Sequence, residues 1–486
     1  MRRMTIAAAL LLTLAGCAVG PRYRRPDLEV PAAHRAAPVD SASAAVAAAD
    51  SLASIADLAW FEVFEDTTLR ALVREALAAN HDLRIAAARV QQARASAGIA
   101  GSPLWPWVGL QGGATRQQLS KDLLELPDGQ IRNVFEAGAA VSWEIDLFGR
   151  IRREKEAAVA EALAAEYDRR GVVQSLVAEV AATYFSLREL DARLEIARGT
   201  FETRRGTLEL FTRRYRGGVA SRLETSQAEA DMQATAAAIP DLERQIAITE
   251  NALSVLLGRN PGRIARPPLG ERRMRDPSTI PAGLPSQLLE RRPDVAAAEE
   301  RLRASNARVG AAFAQYFPTI DLTGFLGAQS RELSNLTTAD AAIWSVGGGL
   351  FQPVFQGGRI RNVNKAAKAD WEASVEIYLL TAQRSFQEVA DALVTVEKLR
   401  QVESELVKRV AALEEGARLS KMRYDGGLSS YLEVLDADRQ LFDGANALAG
   451  ARGNLARAYV QVYRALGGGW DADRPAAEPA ATEPSR

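Results

Sequence analysis

Histidine and cysteine are almost missing from this chain of 486 residues. The two histidines, His34 and His81, lie in an Ala/Pro-rich stretch and at the start of a helical pattern, which excludes a metal or acid–base centre built on imidazole. The single cysteine, Cys17, excludes an internal disulfide. Neither charge is in excess: 60 Lys and Arg stand against 61 Asp and Glu, so no nucleic acid is expected as a partner. No run of eighteen uninterrupted apolar residues follows the first segment, which excludes a transmembrane helix. Proline is absent between Gly149 and Ile239, and again between Val354 and Arg474. The sequence also lacks a nucleophile constellation, and "GRIR" and "GGRIR" lack the lysine of a phosphate-binding loop, so no enzyme is expected.

What is present begins at residue 1. Arg2 and Arg3 precede the short apolar run "TIAAALLLTLAG", the pattern of a signal peptide over 1–16. It ends in Leu14-Ala15-Gly16-Cys17, which resembles a bacterial lipoprotein box. On that resemblance the chain is cleaved before Cys17 and acylated there. Each buried acyl CH₂ contributes about 0.8 kcal/mol, enough for several chains to anchor in outer-membrane lipid. Ala18 rather than Asp follows, which resembles sorting to the outer membrane. The covalent lipid on Cys17 is the one attached group expected, with no other cofactor and no metal.

The rest of the chain is a duplication. "HDLRIAAARVQQARASAGIAGSPLWPWVGLQG" from His81 matches "PDVAAAEERLRASNARVGAAFAQYFPTIDLTG" from Pro293, and Gly149-Arg150-Ile151-Arg152 matches Gly358-Arg359-Ile360-Arg361. A period of some two hundred residues is too long for a solenoid. Each copy reads as helix, two strands, long helix, turn and returning helix. The copies span 61–257 and 286–466, with strands at about 104–116, 132–147, 317–329 and 341–355, and helical hairpins at about 150–257 and 358–466. An extended segment (17–60), a Pro/Gly/Arg-rich connector (258–285) and a flexible tail (467–486) complete the organisation.

In the first long helix Val173, Val180, Leu187, Leu194, Phe201, Leu208 and Tyr215 recur every seven residues. Leu176, Leu190, Ala197 and Phe211 fill much of a second seam, the pattern of helices packed side by side. A helix from Arg150 to Arg216 would be about 100 Å long. In the strands, Phe135, Ala137, Ala139, Val141, Trp143 and Ile145 alternate with Glu136, Ser142 and Glu144. Trp105, Trp107, Trp143 and Trp344, near strand ends, suit a bilayer interface. Such alternation fits either a half-buried soluble sheet or membrane barrel strands. Four strands cannot close a barrel, and an open edge cannot exist in lipid, so if these strands enter a membrane several chains must share one barrel.

The motif Arg-Tyr-x-Gly-Gly occurs twice, in "RRYRGGVASRLE" and "MRYDGGLSSYLE". Gly217-Gly218 and Gly426-Gly427 allow the left-handed backbone of a helix end. Ser221 with Glu224, and Ser430 with Glu433, read as capping boxes that start the returning helices.

With "CAVGPRYRRP", "WFEVFEDTTLRALVREAL" and "LPSQLLERRPDVAAAEERL", the chain resembles the outer-membrane factor family of TolC-like efflux channels, in its lipoprotein branch. The resemblance implies a mixed α/β membrane protein. Three copies build a twelve-stranded β-barrel, four strands per chain, continued by a long periplasmic α-helical barrel. It implies a homotrimer, a periplasmic membrane-fusion adaptor and an inner-membrane RND-type pump. The repeated turns then form a periplasmic gate, in which Asp436 matches an acidic ring, Tyr424 a closing tyrosine and Glu224 an acid of the first hairpin. Ser429 departs from members that carry a basic residue there. Two alternatives share these features: the outer-membrane channel of a type I protein secretion system, and a lipid-anchored periplasmic coiled-coil scaffold without a pore.

Overall fold

A computed structural model describes residues 18–31, 66–118, 131–269 and 285–468. Cys17, the signal segment, residues 32–65, the whole first strand–strand loop, much of the connector and the tail beyond 468 lie outside the described residues. The chain divides into two units: residues 1–27, 88–166 and 297–380 in the first, and 28–87, 167–296 and 381–486 in the second.

The first unit is organised by one antiparallel sheet. β1 (Trp107–Gln118), β2 (Ile131–Ile145), β3 (Thr319–Ser330) and β4 (Ala342–Phe351) pair in the order β1-β2-β3-β4. The central pair thus joins the two sequence repeats, and β1 and β4 each pair on one side only. β4 stops at Phe351, earlier than its alternation suggested, because Pro353 brings no N–H to a ladder.

Directly opposed residues of an antiparallel pair share a face. The register therefore groups Glu136, Ser142 and Glu144 with Gln111, Thr115, Asp321, Thr323 and Gln329. Glu136 makes this visible: its carboxylate accepts from Nε2 of Gln111 at 3.4 Å and of Gln329 at 3.3 Å. The opposite face carries Val108, Leu110, Val141, Trp143, Leu322, Leu326, Trp344 and Val346. In the single chain that apolar face is bare, with Leu110 89%, Val346 82% and Leu326 69% exposed. Trp107 departs from the sequence reading. It stands opposite Ser142, on the polar face, and not with Trp143 and Trp344. A shift of one residue along a strand inverts the face, and the aromatic count near strand ends ignores that parity.

Below the sheet, Asp146 caps α3 (Arg150–Arg216) by accepting from the N–H of Ile151 at 3.0 Å and of Arg152 at 2.9 Å. Phe148 stacks on Phe317 with ring centres 4.7 Å apart. Buried Ala157 and Ala160 of α3 meet Ala304 and Ala307 of α6 (Pro293–Ala314), small residues that let the helices approach closely. The N-terminal segment is extended along this region. Val19 N–H bonds Phe148 C=O at 3.1 Å, and the Tyr23 hydroxyl and Arg25 guanidinium both donate to Glu299.

The second unit is helical. It contains α1 (Thr67–Ala79), α4 (Arg222–Leu256), α5 (Pro285–Arg291), α8 (Tyr431–Ala465), and most of α3 and α7 (Arg359–Asp425). α3 runs unbroken past Gly171, Gly199 and Gly206, and α4 runs through Pro240. Tertiary packing offsets the roughly 1 kcal/mol cost of each glycine and the larger cost of the proline. The core holds Val180, Tyr184 and Leu187 of α3, Leu253 of α4, Val389 of α7, and Leu455 and Val462 of α8. The repeat is also visible in two caps. Asn80, before α2 (His81–Gly101), donates to Leu256 C=O at 3.0 Å, and Arg292, before α6, donates to Ala465 C=O at 3.1 Å. Each residue closes the end of its own repeat's returning helix. The described part of the connector is held by Arg266, which pairs with Asp191 and Glu250 at 2.6 and 2.5 Å.

Candidate functional site at the hairpin turns

Both long helices end in the same way. Gly218 (φ 76°) and Gly427 (φ 72°) take the left-handed conformation that an L side chain resists. The Val219 and Leu428 N–H groups reach back to Arg214 and Arg423 carbonyls at 2.9 and 2.8 Å, and Gly218 and Gly427 bond Tyr215 and Tyr424 at 3.0 and 2.9 Å. These are Schellman closures, which satisfy carbonyls the helix leaves open. Gly217 and Gly426 occupy the preceding position, with N–H groups on Arg213 and Met422.

The first returning helix starts in a full capping box. Ser221 Oγ accepts from Glu224 N–H at 3.2 Å, and Glu224 Oε2 accepts from Ser221 N–H at 2.7 Å. The other oxygen, Glu224 Oε1, accepts from the Tyr424 hydroxyl of the second hairpin at 3.4 Å. Burial, then the charge on Glu224, pushes that hydroxyl above its ordinary value, so it remains a donor. Beneath this link Phe211, Tyr424 and Tyr431 form an aromatic cluster, the closest centres being Phe211 and Tyr431 at 4.4 Å. Phe211 and Tyr431 are buried. Burial, with Asp231 and Asp438 nearby, pushes the Tyr431 hydroxyl up to about 12.

A second link lies further from the turns. Asp231 of α4 is 3% exposed and takes two guanidinium groups. Arg204 of α3, itself buried, brings Nε to 2.7 Å of Asp231 Oδ2, although that N–H is not aimed along the line. Arg204 Nη1 also donates to Asp231 C=O at 3.0 Å and to the Thr235 hydroxyl. From α8 of the other hairpin, Arg439 Nε donates to Asp231 Oδ1 at 2.8 Å. The Phe442 ring lies 5.4 Å from the Arg204 guanidinium carbon. One carboxylate therefore ties both hairpins of the chain together, and a second tie is made by Tyr424 and Glu224.

The sequence matches the outer membrane efflux protein family over residues 72–259 and 284–468, both repeats and most of the chain. The chain belongs to this outer membrane efflux protein family. It is similar to the outer membrane protein OprJ of Pseudomonas aeruginosa, 36% identical over 96% of each chain. It is 34% identical to the probable efflux pump outer membrane protein SepC of Pseudomonas putida, over 97% of this chain and 98% of that one. Among solved structures, the outer-membrane channel OprN superposes with a TM-score of 0.84 at 33% identity, over 93% of this chain and all of that one. The fold of this efflux protein is TolC-like, four strands and two long helical hairpins per chain.

Within this outer membrane efflux protein the expected gate residues do not all meet. Tyr424 and Glu224 do. Asp436 lies exposed on α8, where its carboxylate accepts from Gln440 Nε2, one turn on, at 2.7 Å. The second capping box does not form. Ser430 has the extended backbone of an N-cap, but its hydroxyl does not cap, and Glu433 pairs with Arg423 at 3.0 Å. A guanidinium across the turn outcompetes a neutral amide for that carboxylate.

Sequence reasoning missed Arg204, Asp231 and Arg439. The signal was present: counting by sevens from Ala197 to Phe211 lands on Arg204. A charge in an apolar seam specifies a partner, as polar core residues do in coiled coils. Asp438 joins this group. Burial, then proximity to Asp231, raises its carboxyl above the aspartate range, while Arg204 and Lys421 oppose that. The folded chain therefore binds this proton more tightly than the unfolded chain, and the charged form costs stability at neutral pH. Acidification relieves that cost as pH falls through the raised value, fully so below the ordinary aspartate value. Asp438→Asn should raise the melting temperature at pH 7 and remove this gain on acidification. Melting curves from pH 7 to about pH 4 check it, and an unchanged profile refutes it.

Proposed function

We propose that three copies of this chain form the passive outer-membrane duct of a tripartite efflux system, its twelve strands closed into one barrel and its hairpin turns forming the periplasmic gate. The observation that carries the reading is the sheet: two open edges, one polar face and one bare apolar face. In lipid the backbone groups of β1 and β4 need partners, which only β4 and β1 of neighbouring copies supply without distortion. Two copies give eight strands and a filled interior, whereas three give twelve and leave a channel. The polar face lines that channel, because Glu136, Glu144 and Asp321 are excluded from hydrocarbon.

The duct takes solutes from an inner-membrane RND-type pump through a periplasmic membrane-fusion adaptor that docks at the turns. SepC, named as a probable efflux pump outer membrane protein, supports a pump as partner. Energy comes from the pump, and partners open the gate only by favouring the open state. Acylated Cys17 anchors the N-terminus in the outer membrane. Its neighbour Ala18 supports this: the Cα lies 2.7 Å from where a Cβ on Gly149 would stand, at the junction of β2 and α3. In the closed gate, three copies of exposed Asp436 ring the pore and attract cations.

The test is a deletion in the native host together with purification from its outer membrane. Expected are loss of resistance to exported compounds, a heat-stable trimer with conductance in planar bilayers, and acylation that is lost in Cys17→Ser. A periplasmic monomer without conductance would instead indicate the scaffold.

A further inference from the structure

Trp107 and Gly109 share the polar face of β1, with Ser142 and Ala140 opposite them. A Cβ on Gly109 would overlap the six-membered ring of Trp107, and the three nearest atoms to it all belong to that ring. The indole therefore lies folded along its own strand, in space that any other residue at 109 would fill. The same arrangement recurs higher on this face. The tip of the Phe325 ring stands 2.6 Å from where Gly138 would carry a Cβ and 2.8 Å from that of Gly327. Two aromatics of the polar face thus lie flat, each over glycine, as aromatic rings do when they cover exposed glycine in sheets.

We propose that Trp107 sets the width of the barrel at its inner mouth, and that Gly109 is the positioning residue that keeps the three indoles against the wall. The proposal rests on the trimeric channel reading. With strands about 4.8 Å apart and tilted about 40°, a twelve-stranded wall has a backbone radius of about 12 Å. The row at Trp107 otherwise holds Ser142, Thr323 and Gly347, all small. Three indoles standing off the wall would therefore be its largest obstruction. Laid flat, they leave the mouth wide and show a ring face to passing solutes. Trp107 is 62% exposed even while folded over Gly109. The substrate property this selects is cross-section, so bulky solutes feel it first.

The test places Gly109→Val in the full-length chain, expressed in the native host in place of its own copy. Heat-stable trimer on gels reads assembly, and extrusion of one small and one bulky fluorescent dye reads passage. The valine turns the indole off the wall. The expected result is normal assembly, unchanged extrusion of the small dye and several-fold slower extrusion of the bulky one. Adding Trp107→Ala to Gly109→Val should restore the bulky dye. Equal extrusion of both dyes by Gly109→Val, or no restoration in the double variant, overturns the proposal. Where the valine variant does not assemble, Gly109→Ala adds a single methyl at the same point and is read in the same way. If the unaltered chain exports neither dye, the channel reading itself fails and this proposal falls with it, an outcome distinct from a defect seen only in Gly109→Val.

Discussion

Asp231→Ala is expected to raise the single-channel conductance of the purified trimer several-fold and to weaken the helical end of the chain. Asp231 is the only carboxylate seen to take both Arg204 and Arg439 among the described residues. Removing it leaves Arg204, 7% exposed, as a buried charge without its counter-ion. Losing one partner of a buried pair costs about 3–5 kcal/mol, far more than the pair contributes when intact. It also releases α8 from α4, and those helices belong to different hairpins. Arg439→Ala separates the two effects. That side chain is 52% exposed, so its loss costs about 1 kcal/mol or less while still cutting the tie. Conductance should therefore rise in both variants, and the melting temperature should fall strongly only in Asp231→Ala. Tyr424→Phe, which removes a 3.4 Å hydrogen bond, should open the channel less, by a change of about 1 kcal/mol. Wild-type conductance in both Asp231→Ala and Arg439→Ala would discard the clasp without touching the fold.

Leu326→Arg is expected to abolish the outer-membrane trimer. Leu326 sits midway along β3 on the apolar face and is 69% exposed in one chain. On a water-facing surface such a substitution would change stability by about 0.5 kcal/mol or less. Facing lipid near the middle of the membrane, an arginine costs about 2–4 kcal/mol per chain, and the trimer carries three. The contrast makes one residue a test of which solvent the sheet faces. Trimer yield from outer-membrane fractions, with Thr323→Arg on the opposite face as control, reads the result. A wild-type yield for Leu326→Arg would end the barrel interpretation.

Much of this was legible in the residues. A missing proline over some ninety positions and a seven-residue apolar repeat are strong helix signals, because each depends only on local geometry. The strand alternation around β2 was readable for the same reason. The two Gly-Gly turns announced themselves because a left-handed helix end admits few other residues. The structure disagreed where a side chain had a choice of partners. Glu433 satisfies the capping-box pattern as well as Glu224 does, yet it pairs with Arg423. Trp107 has the composition of an interface aromatic, but its strand parity sends it to the polar face. Arg204 occupied a visible seam position, but the sequence could not say what would answer its charge.

The sequence by itself determined the duplication, the long helices, the four strands and the two turns, since period and backbone conformation are set within a few residues. Only the tertiary structure decided that Glu224 reaches Tyr424, that Asp231 binds arginines from both hairpins, and that Gly109 carries an indole. The Tyr424–Glu224 and Arg439–Asp231 contacts join residues 200 and 208 positions apart, and charge and burial at such range depend on which surfaces meet. The indole over Gly109 is a local choice of rotamer, which spacing alone leaves open.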